Sequence, residues 1–320
     1  MAFPNVSDII ATTIESRSGE IADNVTKNNA LLRRLEKRGN TRTFSGGTVI
    51  FEELSFAENG NAGYYSGYDL LPVSAQDVLS AAQYSIKQAA VPVVISGLEM
   101  LQNAGKERII DLMDGRMDVA EASLCNLLAG GVYSDGTGSG GKQVVGLAAA
   151  VPLNPTTGVY GSIDRSVWSF WRNQFTDTSG ITAATIQQSW NAQWAKQVRG
   201  MDRPDLIIVD SLTWAIYMQS LQAIQRITST DSGDLGFPTI KFMDADVVLD
   251  GGIGGFCPGN TAYFLNTKYI FWRPHANRNM VPLSPNKRYA VNQDAEVQII
   301  GWAGNLTTSG AQFQGIWDNN

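Results

Sequence analysis

Lys106-Glu-Arg-Ile-Ile-Asp-Leu-Met-Asp-Gly-Arg-Met-Asp-Val-Ala-Glu-Ala-Ser-Leu-Cys-Asn-Leu-Leu-Ala129 is the stretch on which the reading of the fold turns. Its apolar residues fall at 109, 110, 113, 117, 120, 124, 127 and 128, a continuous face of helical period. At about 1.5 Å per residue such a helix is about 36 Å long. Gly130-Gly131 follows and is expected to end it as a C-cap. One helix of this length can serve as the backbone of a flat, elongated domain. Asp111, Asp114 and Asp118 lie at spacings of 3 and 4 on the opposite side, flanked by Glu107 and Glu121. Such carboxylates could hold a divalent cation or work as an acid and base, but Arg108 and Arg116 stand among them. A solvated or partner-facing charged face is the preferred reading.

Upstream, the texture changes twice. Residues 1–42 hold seven basic and five acidic groups, and the basic ones concentrate in Arg33, Arg34, Lys37, Arg38 and Arg42. Ile21, Val25, Leu32 and Leu35 give this segment a thin apolar stripe, which predicts a helix that needs a partner surface. From Thr43 to Phe56 strand formers are broken by Gly46-Gly47. Ala57–Gly63 is a turn cluster, and Tyr64-Tyr-Ser-Gly-Tyr68 is expected to restart the chain as strand. The result is a long hairpin whose poor alternation assigns neither face to a private core.

Downstream, Gln83–Gln88 and Val91–Ile95 read as strand. Ile181–Arg199 reads as helix, Asp205–Asp210 as a buried strand, and Leu212–Ile227 as a second helix capped by Ser211. Thr239–Leu249, Ala262–Leu265, Ala295–Trp302 and Gly310–Trp317 read as further strands. The chain is therefore α+β, with compact α/β material in its later half.

Composition excludes much chemistry. The 320 residues contain one histidine, His275, and two cysteines, Cys125 and Cys257, so no zinc site of dedicated Cys and His ligands can be assembled. Two cysteines 132 positions apart make no disulfide framework and suit a reducing compartment. A net charge of -6 argues against a surface built throughout to grip nucleic acid. The longest apolar run, Val144–Leu153, is ten residues, half of the roughly 20 that a membrane span needs. No signal peptide is visible at the N-terminus.

Four local motifs have bland readings that prevail. Gly136-Thr-Gly-Ser-Gly-Gly-Lys142 resembles a phosphate-binding loop, but Gln143 stands where magnesium binding needs Ser or Thr, and a helix precedes it. A mobile linker after the long helix is preferred to a nucleotide-binding enzyme. Asp244, Asp246 and Asp250 have calcium-loop composition, but strand formers separate them. His275 lies beside no nucleophile elbow, and Cys125 sits beside an apolar face. The Arg33–Arg42 cluster could contact phosphates, as in a DNA-binding accessory protein. The remainder of the chain carries 17 basic and 25 acidic groups, so contact with an acidic neighbouring subunit is preferred.

The order of these parts resembles the major capsid proteins of tailed bacteriophages, the Hong Kong 97-type fold. Val159–Gln174 looks like that family's lead into its central domain, and Asn260–Tyr269 and Asn292–Leu306 look like its late strands. The resemblance implies an N-terminal arm (1–40), an extended β-hairpin loop (41–75) and a peripheral domain (76–144) with spine helix 106–129. It further implies an axial domain (145–270), and terminal strands (271–320) that return to the peripheral and axial domains. The implied work is self-assembly into hexamers and pentamers of an icosahedral shell around double-stranded DNA, without catalysis or cofactor. Implied partners are the chain itself, a separate scaffolding protein, a portal, a decoration protein and packaged DNA held without sequence specificity. The location is the virion, assembled in a host cytoplasm. Candidate inter-subunit contacts are Arg33, Arg34, Lys37, Arg38, Arg42, Glu52, Glu53, Tyr64, Tyr65 and Tyr68.

Some members of that family join subunits through a loop lysine. Between Arg38 and Ile86 this chain has none. Denaturing electrophoresis of assembled particles is therefore expected to give a single band, and a covalent ladder traced to this loop would contradict the reading.

Overall fold

The computed structural model describes residues 29–102, 106–222, 239–251, 255–283, 288–289 and 294–320. Helix α1 (Ala30–Lys37) begins where the Asn29 side chain accepts from the N–H groups of Leu31 (3.0 Å) and Leu32 (3.2 Å). Leu31, Leu32 and Leu35 are buried against the chain's own strands, and Ile21 and Val25 lie outside the described residues. Asn40 then donates to the carbonyls of Thr267 (2.6 Å) and Ile270 (3.2 Å), which fixes the exit of the helix.

The hairpin differs from its sequence reading. Strand β1 (Val49–Ser55) pairs antiparallel with β2 (Leu79–Ser85), from Val49↔Ser85 to Ser55↔Leu79. The returning strand is thus 79–85, and Tyr64–Tyr68 belongs to the irregular connection between them. Alternation along β1 is in fact strict, with Ile50, Glu52 and Leu54 inward. A carboxylate at the middle inward position concealed the pattern.

Strand β3 (Lys87–Ser96) leads towards the spine helix α2 (Lys106–Val132). That helix has 27 residues, about 40 Å at the standard rise, and runs through Gly130-Gly131 instead of stopping there. The glycines serve close packing. A Cβ on Gly130 would lie 3.2 Å from the Phe256 ring, and one on Gly131 3.2 Å from Val144. Met117, Ala120, Leu124 and Leu128 are buried as the periodicity requires, but Leu127 is exposed. The side chains of 106–114, Asp111 and Asp114 included, lie outside the described ones.

The later half builds a six-stranded mixed sheet. Its members are β4 (Gln174–Thr178), β5 (Leu206–Val209), β6 (Thr239–Phe242), β7 (Ala245–Leu249), β8 (Thr261–Leu265) and β12 (Gly315–Asn319). Their order is β4-β12-β8-β5-β7-β6, so the last strand in sequence sits inside the sheet, parallel to β4 and antiparallel to β8. A second sheet centres on β11 (Ala295–Thr308), which pairs with β3 over Ala295–Gly304, with β9 (Ile270–Pro274) over Gly304–Thr308, and with β10 (Val281–Pro282).

Two helices cover the six-stranded sheet. α3 (Ile186–Gln197) starts five residues later than the periodicity suggests, and α4 (Ser211–Gln222) is capped by Asp210, not Ser211. The Asp210 carboxylate accepts from the N–H groups of Leu212 and Thr213, both at 3.0 Å. Residues 223–227 of the expected helix lie outside the described ones. Under these helices Trp190 stacks on Tyr217 at 4.6 Å and meets Phe242, Phe264 and Trp317 edge to face. Trp190→Ala should therefore cost about 3–5 kcal/mol of unfolding free energy, read as a lowered denaturant midpoint.

Candidate assembly surface

The connection between β1 and β2 is the most conspicuous surface of the chain. Tyr64, Tyr65, Tyr68, Leu70, Leu71, Val73 and Leu79 are all exposed, with Leu70 at 97% and Val73 at 91%. Isolated exposed apolar residues are ordinary, but seven within 16 positions is a concentration of the kind found at interaction sites. Internal bonds give it shape. Asn61 donates to the Ser74 carbonyl (2.6 Å) and accepts from the Ser74 hydroxyl (2.9 Å), closing a neck below residues 62–73. Within that lobe Ser66 N–H donates to Asp69 at 2.8 Å. From Thr43 to Ile86 the chain carries Glu52, Glu53, Glu58, Asp69 and Asp77 and no basic residue.

The base of the hairpin is anchored from within. Arg273 Nε donates to Glu52 at 2.6 Å, and the Thr307 hydroxyl donates to the same carboxylate oxygen at 2.9 Å. Glu52 therefore faces the chain's own interior, whereas its neighbour Glu53 is exposed. On β2, Tyr84 donates to the Thr308 carbonyl at 2.7 Å and meets Tyr160 edge to face. Burial, with Tyr160 beside it, holds the Tyr84 hydroxyl well above its ordinary pKa, so it remains a neutral donor.

The basic cluster divides in the same way. Arg34 reaches Asp205 and Asp246, both at 3.2 Å, and Arg38 reaches Asp205 at 3.6 Å. Arg42 lies 4.5 Å over the Phe271 ring. Arg33 is partly buried on the same helix, and Lys37 and Arg38 are on its exposed side. Arg34 thus clamps helix α1 to the six-stranded sheet by bridging Asp205, just before β5, and Asp246 in β7.

The other candidate chemistry is placed as follows. Gly136–Lys142 forms a tight turn directly after the spine helix, with Ser139 and Gly140 at positive φ, and lacks the strand that a phosphate loop follows. It is a shaped turn rather than a featureless linker. Burial pushes the Cys125 thiol up to about 11 and the Cys257 thiol up to about 12, both away from nucleophilic character. His275 accepts through Nδ1 from Asn277 N–H (3.1 Å) and meets Phe44 edge to face. Among the described residues no group of three or more His, Cys, Asp or Glu is placed to hold a metal ion. Among them, too, no helix is long and apolar enough to cross a membrane.

Sequence reasoning named the lobe tyrosines and missed its aliphatic members Leu70, Leu71 and Val73. The signal was present in Asp69-Leu-Leu-Pro-Val73, an apolar run beside proline in a region without strand alternation. Trp168 and Phe170, which with Phe56 flank the loop end of the hairpin, were also overlooked as a surface.

An arm helix, an exposed loop on a hairpin, a long spine helix and a central mixed sheet that takes back the last strand together make the Hong Kong 97-type fold of tailed-phage capsid proteins. A chain of the cyanophage A-1(L) capsid asymmetric unit matches with a TM-score of 0.64 at 16% identity, over 88% of this chain and 90% of that one. A chain of Mycobacterium phage Bobi matches at 0.56 and 11% identity, over 91% and 90%. A chain from the capsid of a native GTA particle, computed with C5 symmetry, matches at 0.54 and 10% identity, over 90% of each. No protein-family model matches the chain, and no curated protein matches it.

Removing Glu52 deprives the part-buried Arg273 and the Thr307 hydroxyl of their shared acceptor. Glu52→Ala should lower stability by about 3 kcal/mol, while Glu52→Gln, which keeps an acceptor, should lose clearly less. Urea unfolding of the two variants measures the difference.

Proposed function

We propose that this chain is the major capsid protein of a tailed bacteriophage, a structural subunit that assembles with copies of itself into hexamers and pentamers of an icosahedral shell. The observation that carries this reading is the pairing of a Hong Kong 97-type fold with an apolar lobe that the described residues leave exposed. A surface of this kind is stabilised only when another molecule removes it from water. Closed symmetry supplies such a molecule many times over, because each subunit can offer one patch and receive another.

In this reading catalysis has no part and the product is contact area. The thiols, pushed up in pKa by burial, and the lone histidine held by Phe44 and Asn277 fit that division of labour. Residues 1–40 act as an arm whose described end is clamped by Arg34. Of the ten candidate contacts, Glu53, Tyr64, Tyr65 and Tyr68 are exposed and suit a neighbouring copy, as do Lys37, Arg38 and Arg42. Arg33 and Arg34 are only partly exposed and contribute less there, and Glu52 belongs to the hairpin anchor. Packaged double-stranded DNA, a separate scaffolding protein, a portal and a decoration protein are the further partners, in a virion assembled in the host cytoplasm.

Negative-stain microscopy of the purified chain tests this directly. Shells, tubes or capsomer rings are expected, with or without a co-expressed scaffold. A protein that remains monomeric at every concentration and salt condition, with and without scaffold, would overturn it.

A further inference from the structure

Just before the neck of the lobe, Asn59-Gly60 is the single Asn-Gly pair in the chain, and both residues are exposed. The Asn59 side chain is folded back on its own backbone. Its Oδ1 accepts from the Asn61 N–H at 2.9 Å, and its main-chain carbonyl accepts from the Ala62 N–H at 3.0 Å. An Asx turn of this kind curls the carboxamide over the intervening peptide nitrogen, here that of Gly60. Glycine leaves the approach to that nitrogen open and the local backbone free to rotate. The Asn61 N–H already donates to the oxygen on which negative charge collects when the carboxamide carbon is attacked. Among the described residues the Asn59 NH2 group has no acceptor, so nothing restrains it as a leaving group.

We propose that Asn59 is a site of spontaneous modification, where the Gly60 backbone nitrogen displaces the carboxamide nitrogen and the residue becomes aspartate or isoaspartate. The inference stands independently of the self-assembly reading. Hydroxide removes the Gly60 N–H proton, and the nitrogen forms a bond to Asn59 Cγ. The resulting oxyanion collapses, the bond from Cγ to Nδ2 breaks, and ammonia leaves with a proton from water, which regenerates the hydroxide. The product is a five-membered succinimide that one water molecule opens. Attack at the former side-chain carbonyl gives aspartate, and attack at the main-chain carbonyl gives isoaspartate. Either product sets a new carboxylate beside Glu58, whose contact with Arg199 is long (3.8 Å) and exposed. Isoaspartate also inserts a methylene into the turn that positions Asn61 for its two bonds to Ser74, which loosens the neck. Neighbouring candidates are protected. Those same bonds hold the Asn61 carboxamide across the neck, and Asn191, though exposed, is fixed within helix α3.

Incubation of the purified chain at mildly alkaline pH, followed by peptide mapping with tandem mass spectrometry, tests the assignment. Asn59 should convert to separable aspartate and isoaspartate forms, in proportion to hydroxide, before any other asparagine of the described residues changes. Enzymatic methylation of isoaspartyl carboxylates gives an independent count of the second form. Gly60→Ala should slow the conversion roughly tenfold, because a Cβ restricts the rotation that ring closure needs. That variant should keep the unsubstituted thermal midpoint by circular dichroism. Gly60 has no positive φ, and the nearest atom to an added Cβ is the flexible end of Gln76 at 3.3 Å. Asn59→Gln should abolish conversion, since the longer side chain cannot close the five-membered ring. The pH dependence of the unsubstituted chain is read without any variant, so it tests the site even if a substitution disturbs the fold. An intact Asn59 after other asparagines have converted, or a rate indifferent to pH, would overturn the proposal. So would a folded Gly60→Ala chain that converts as fast as the unsubstituted one.

Discussion

The strand Ala295–Thr308 has fourteen residues whose backbone groups must find partners on two edges, and most of the architecture follows from how they do so. One edge takes Lys87–Ser96, the strand that leads to the spine helix. The other takes Ile270–Pro274 at one end and Val281–Pro282 further along. Trp302 stacks on Trp272 at 5.0 Å across this ladder, and Thr307 contributes to the Glu52–Arg273 contact beneath the hairpin. Hairpin, spine helix and late strands therefore share one support. Displacing that strand would release all three at once.

Helix α1 and the six-stranded sheet meet through a second node. Asp205 receives Arg34 and Arg38 and also accepts from the Thr267 N–H and hydroxyl, both at 2.7 Å. A partly buried carboxylate with this many donors is held in one geometry, and it fixes the arm helix against the start of β5. The positive arm and negative body inferred from composition do meet, but for Arg34 the meeting occurs inside one chain. Charge segregation alone cannot distinguish a contact within a subunit from one between subunits.

Much of the fold was legible in the sequence because its largest elements carry periodicity. The spine helix from Lys106, the fully apolar Leu206–Val209 strand and Ala295–Trp302 announced themselves by pattern, whereas Thr239–Leu249 is two antiparallel strands and Gly310–Trp317 is strand only from Gly315. What misled were residues with two possible roles. Gly130-Gly131 suggested a helix stop, yet both are needed where Phe256 and Val144 approach the helix closely. Glu52 broke the apparent alternation of β1 because its ion pair lies 221 positions away at Arg273. The strand partner of β1 was misplaced for a related reason, since Tyr64–Tyr68 has strand composition but register is set by pairing at Leu79–Ser85. The candidate site was half visible. Its tyrosines could be named, but the aromatic cleft of Phe56, Trp168 and Phe170 exists only once the fold brings those residues together.

The composition of the hairpin has a consequence for its fate outside a particle. Exposed loops are the usual points of proteolytic nicking, and this one is exposed throughout its lobe. From Thr43 to Ile86, however, it offers no lysine or arginine, while Tyr64, Tyr65 and Tyr68 stand at its tip. A free subunit is thus closed to trypsin-like cleavage in its most accessible segment and open to enzymes that cut after aromatic residues. Burial of those tyrosines in a neighbour would remove the second vulnerability as well, leaving the assembled loop without a ready cleavage point for either class.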